Sequence, residues 1–98
     1  MERWEALSKE DREAFAPICP AFLIELRSRS DRLTNLQQKM DDYIANGVRL
    51  GWLIDPYKRQ VYIYRQNRAM EFVAEPSSLS GEDVLPGFVL DLSPIWAT

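Results

Sequence analysis

Ninety-eight residues, 46% hydrophobic and 28% charged, allow one small soluble domain with a modest core. The net charge of −3 argues against indiscriminate nucleic-acid binding, which needs a basic face, but leaves room for a local basic patch. Cys19 is the only cysteine and there is no histidine, which excludes a disulfide framework, a thiolate zinc site, a Ser-His or Cys-His nucleophile pair and a histidine-ligated metal within this chain.

No apolar run approaches the roughly 20 residues of a membrane span. The opening MERWEALSKED is charged throughout, unlike a signal peptide, so a cytoplasmic protein without a membrane partner is expected. In chain order, Ser8 with Glu10 and Asp11 in the first turn marks a helix start, and Pro17 and Pro20 stop that helix. Trp4, Leu7 and Phe15 would anchor it. AFLIELR after Pro20 reads as a short buried strand.

The clearest helix follows, where Leu33, Leu36, Met40, Tyr43 and Ile44 recur at three- and four-residue steps. Ser30 or Asp31 is the expected cap, and Gly47 after Asn46 the expected stop. VRLGWLIDP is a second buried strand closed by Asp55-Pro56. DPYKRQ then turns the chain into VYIYR, giving an antiparallel hairpin. AMEFVA is a fourth strand, EPSSLSGEDVLPG a polar loop, and FVLDL a short final strand before Trp96. There are no internal repeats and no linker.

This order gives an α+β (mixed α/β) fold around one sheet, as a single domain over residues 1–98. Strand, helix, strand suggests a crossover with the two strands parallel. Every strand reads as a central one, without the interior proline or charge run that blunts an edge. The module is therefore expected to belong to a larger sheet or to pair with another chain.

Few residues are candidates for chemistry. In a strand, Glu25 and Arg27 share a face, which predicts a structural ion pair between them; the functional reading makes Glu25 a metal-binding carboxylate. Lys39 lies beside the apolar stripe of the main helix, where it either covers the core edge with its stem or stabilises charge developing on a phosphate. Asp55, before a proline, reads as turn chemistry. Trp52, Tyr62 and Tyr64 read as packing residues. Arg27, Arg29 and Arg32 form the one local basic stretch, either a solvated loop or a phosphate-contacting rim.

Several motifs occur in a specific order. Pro20 leads through one residue, Ala21, and three apolar ones to Glu25, and Ser28-x-Ser30-Asp31, Lys39-Met40-x-x-Tyr43, Gly47-Val48 and Trp52-Leu53-Ile54-Asp55-Pro56 follow, with LPGFVLDLSPIW at the end. Together they resemble the C-terminal half of the Uma-type restriction endonucleases, of the PD-(D/E)XK nuclease superfamily. The resemblance implies an N-terminally truncated restriction-endonuclease-like core, a mixed sheet with one main helix packed on it, and descent from magnesium-dependent phosphodiester hydrolysis.

The family's strand motif is Pro-Asp, three apolar residues, then Glu; Pro20 and Glu25 match, and Ala21 stands at the aspartate position. A further acidic motif is expected upstream of Met1. Arg27 occupies the superfamily's lysine position, and Lys39 fits the alternative placement of that lysine on the following helix. The implied site is thus Glu25 as metal ligand and Glu25 with Lys39 as catalytic pair, with magnesium the implied cofactor. Metal-assisted hydrolysis needs carboxylates to fix the ion, and this set is incomplete. The expected protein is a degenerate family member, inactive alone and holding little or no magnesium. It would act as a small homo-oligomeric interaction module, a homodimer, with DNA a weak partner. The alternative is an active magnesium-dependent endonuclease completed by a partner chain, a second copy or a separately encoded N-terminal half.

Overall fold

The computed structural model describes residues 21–97, so the helix expected from Ser8, its anchors and Cys19 lie outside the described residues. Five residues, FLIEL, form strand β1 (Phe22–Leu26), and helix α1 (Leu33–Ala45) follows after a short connection. Strands β2 (Leu50–Asp55), β3 (Gln60–Arg65) and β4 (Glu71–Ala74) continue as a meander. The sheet order is β1-β2-β3-β4, with β1 parallel to β2 and the other pairs antiparallel. The crossover and the hairpin expected from the sequence are both present.

The stripe on α1 explains its packing. Leu36 and Met40 are buried against Leu53, Tyr62 and Tyr64, with Leu23, Leu33, Tyr43 and Ile44 around them. Helix and sheet approach closely at Gly51, where a Cβ would lie 2.7 Å from Met40 Cε. The helix ends as expected: Asn46 is the C-cap, and Gly47 takes φ 111°, a left-handed conformation that suits glycine. Its start differs from expectation. Arg32 is the N-cap and makes no side-chain capping bond. Asp31 instead accepts from the backbone N–H of Ser28 (2.9 Å) and its hydroxyl (2.8 Å), closing the loop before the helix. The competing local turn claims the carboxylate.

The opposite face of the sheet presents Leu50, Trp52, Ile54, Val61 and Ile63, because alternate strand residues point away from α1. The segment expected as a polar loop covers it. Within that segment Ser78–Ser80 is strand β5, which pairs antiparallel with β6 (Val89–Asp91) as a second, two-stranded sheet. The expectation of one sheet is corrected accordingly. Leu79, flanked by exposed serines, buries its side chain in the core together with Leu92 and with Trp96 of the short helix α2 (Ser93–Trp96). Burying side chains of this size stabilises the fold by about 1.5–3 kcal/mol each. Trp96 Nε1 donates to the Pro76 carbonyl at 2.7 Å, and Phe22 meets Trp52 edge-on at 4.8 Å.

Arg65 binds the two layers together. Its guanidinium donates to Glu71 at 2.9 Å and to Glu82 at 2.6 Å, the latter from the loop between β5 and β6. Not every strand is central: among the described residues β1 and β4 are the outer strands, and their side chains are largely exposed or half-buried. No helix among the described residues is long and apolar enough to cross a membrane.

Candidate functional site

Alternation along β1 puts Leu23, Glu25 and Arg27 on the α1 side of the sheet. Leu23 joins the core beneath the helix, and Glu25, two residues on, emerges past it. Lys39 lies one residue from the buried Met40, and from there its stem reaches across to β1. Its Nζ stands 3.4 Å from Glu25 Oε2, so the structure brings together the two residues singled out from the sequence. Partial burial would lower the Lys39 pKa, but the Glu25 carboxylate, with help from Tyr43, outweighs it and the net shift is upward. The lysine is held as a cation.

The expected ion pair between Glu25 and Arg27 does not form. Arg27 Nη1 instead donates to Asp55 Oδ2 at 2.7 Å. Residues two apart on one strand are separated by nearly 7 Å, whereas a cross-strand neighbour is about 5 Å away. The parallel register sets Arg27 beside the end of β2, with its N–H donating to the Ile54 carbonyl at 2.9 Å. Asp55 also performs the turn chemistry expected of it, accepting from the N–H groups of Tyr57 (3.0 Å) and Lys58 (3.2 Å). Its side chain is fully buried, and both oxygens are satisfied. The link to Arg27 is not readable from the sequence without the β1–β2 register; the available signal is a buried-type strand ending on an acid.

Tyr62 lies on the same face, and its hydroxyl donates to Gln60 at 3.1 Å. Burial raises its pKa, the Asp55 charge raises it further, and Arg27 opposes the shift. Trp52, Tyr62 and Tyr64 are buried packing residues, as expected. The connection from β1 to α1 also carries Arg29, whose guanidinium carbon lies 5.6 Å from the centre of the Tyr57 ring. Nothing in the sequence pattern anticipates that contact.

Ala21 immediately precedes β1, four residues from Glu25. In an extended strand this separates the two positions by about 13 Å, with side chains roughly perpendicular to the sheet. A carboxylate at position 21 would therefore be poorly placed to share one ion with Glu25.

Comparison with known proteins agrees with this architecture. The sequence pattern of the Uma2 family, described as "Putative restriction endonuclease", matches residues 1–93, and the chain belongs to that family. Among solved structures it is similar to the crystal structure of "a putative nuclease belonging to DUF820" from Anabaena variabilis ATCC 29413, with a TM-score of 0.70 and 25% identity. The match covers 82% of this chain and 45% of that one, so the chain spans less than half the length of that protein. The fold is a mixed α+β, restriction-endonuclease-like one. No curated protein matches the chain.

Proposed function

We propose that the described residues carry one part of a nuclease-type phosphodiesterase site, and that this chain does not cleave DNA by itself. The observation that supports this reading is the 3.4 Å contact of Lys39 with Glu25 beside an outer strand. A carboxylate and a fixed cation at one spot suit a metal ion and a phosphate oxygen respectively. Among the described residues the donor set is nevertheless too small for magnesium. Asp55 is engaged by Arg27 and its own turn, and among the described residues no group of three acidic, cysteine or histidine side chains is close enough to hold a metal. Glu25 would hold the ion only once further carboxylates stand beside it.

Those carboxylates would come from outside the described residues, from a second copy of this chain or another polypeptide added along β1. Among the described residues no strand pairs with the outer edge of β1, and Ile24 and Leu26 on it are 42% and 55% exposed. A homodimer is the simpler form of this arrangement. Plasmid nicking in magnesium or manganese tests the proposal, with the chain alone and with Glu25→Ala. No cleavage is expected from either. Cleavage by the chain alone that disappears in Glu25→Ala would establish the active reading instead. Light scattering on a sizing column tests the dimer, and a clean monomer at micromolar concentration removes that part.

A further inference from the structure

Among the described residues, Arg29, Arg32, Lys58 and Arg68 form no ion pair with a described carboxylate. Three of the four gather at one end of the sheet, on the β1–α1 connection and the β2–β3 turn, in a chain of net charge −3. These two segments are held to each other. Arg27 from the first and the Tyr57 and Lys58 N–H groups from the second all bind the Asp55 carboxylate. Arg29 then reaches over the Tyr57 ring.

Of the carboxylates on these two segments, Asp55 is neutralised by Arg27, while Asp31 accepts from Ser28 and keeps its charge. Arg29, Arg32 and Lys58 thus outnumber the charge of Asp31 by two, around a tyrosine ring that is 52% exposed. This combination differs from a solvated loop in being fixed: the cations and the ring are carried by backbone tied to a fully buried acid. Charge of this sign attracts phosphates, and an exposed aromatic ring offers a stacking surface to any unpaired base.

We infer that Arg29, Arg32 and Lys58 form a phosphate-binding rim for single-stranded nucleic acid, with Tyr57 stacking on a base. The inference takes its ligand class from the nuclease reading but stands on different residues, so the two fail separately. Fluorescence anisotropy with a labelled single-stranded DNA oligonucleotide, at low salt in EDTA, tests binding where no metal can act. Lys58→Glu and Arg29→Ala are each expected to weaken binding at least about fivefold. Each should also flatten the salt dependence, by about 0.7 in log–log slope for every phosphate that is no longer neutralised. Tyr57→Leu should weaken single-stranded binding and leave duplex binding unchanged.

Arg68→Glu, at the other end of β3, should leave binding in EDTA intact. Circular dichroism on each variant separates weakened binding from unfolding. The inference is overturned by an absence of binding at low salt, or by an equal loss from Arg68→Glu and Lys58→Glu. Competition by polyglutamate as effective as by DNA would also overturn it, since that would mark a surface for acidic protein.

Discussion

Arg27 and Asp55 meet 2.7 Å apart at the end of the parallel pair β1–β2, the aspartate fully buried and the arginine largely so. This contact joins three parts of the molecule: β1, the loop before α1 and the turn after β2. Taking one charge from a buried pair leaves the other without compensation, at a cost of about 3–5 kcal/mol. Asp55→Ala is expected to lose that much in urea unfolding. Asp55→Asn should lose less, because a side-chain oxygen remains for the Tyr57 and Lys58 N–H groups. An Asn variant as stable as the parent would show that the ion pair contributes nothing beyond the turn.

Glu25 and Lys39 should behave in the opposite way. Their contact is longer, 3.4 Å, and the lysine side chain is 51% exposed. Pairs of that kind contribute under about 1 kcal/mol. Glu25→Gln and Lys39→Met are therefore expected to leave stability within about 0.5 kcal/mol of the parent. A double-mutant cycle measures the coupling directly, and a value well above about 1 kcal/mol would assign the pair to the architecture rather than to chemistry.

Alkaline pH should weaken the fold through Tyr64. Burial, reinforced by Asp41 and Tyr62, pushes its hydroxyl up to about 12 from an ordinary value of 10.0. Between those values the unfolded chain releases the proton while the folded chain retains it, so stability falls as pH rises. Chemical unfolding at pH 9, 10.5 and 11.5 should give a declining series, flatter in Tyr64→Phe. Parallel curves for the two proteins would remove Tyr64 as the cause.

Two glycines offer a graded test of packing. A Cβ on Gly81 would lie 2.6 Å from Leu85 Cβ and 2.7 Å from the Leu85 carbonyl oxygen, backbone that has little freedom to yield. A Cβ on Gly51 would press closely only on the terminal methyl of Met40. Gly81→Ala is expected to cost about 1–3 kcal/mol and Gly51→Ala less. Thermal melting that reverses this order would contradict the arrangement of the β5–β6 layer.

The parts of the fold legible in the sequence are those with local signals. The stripe from Leu33 to Ile44 marks α1, Gly47 marks its end, and DPYKRQ marks the hairpin. Asp31 has the pattern of a helix cap, but Ser28 is a nearer partner, and short-range competition of that sort leaves no periodic trace. Strand β5 is not legible, because a single apolar residue between two serines is too short a pattern to register. At the site, Glu25 and Lys39 stand out through motif resemblance. Arg27 pairs with a different acid from the expected one, because strand alternation gives the face of a residue and not its neighbour across the sheet. The contact of Arg29 with Tyr57 depends on two loops converging, which no spacing records.

The topology also sets an order of assembly. Strands β2, β3 and β4 are linked by short turns and pair with near neighbours, whereas β1 must close across the whole of α1 to find β2. Loop closure over longer spans is entropically costlier, so the meander should be formed in the transition state and β1 should dock after it. In a chevron plot, Val61→Ala should then slow folding while Leu23→Ala chiefly speeds unfolding. Since Glu25 rides on β1 and Arg27 directly follows it, the last strand to arrive is also the one that brings the acid to the lysine. A transient detachment of that single strand would dismantle the site while leaving the hairpin core in place.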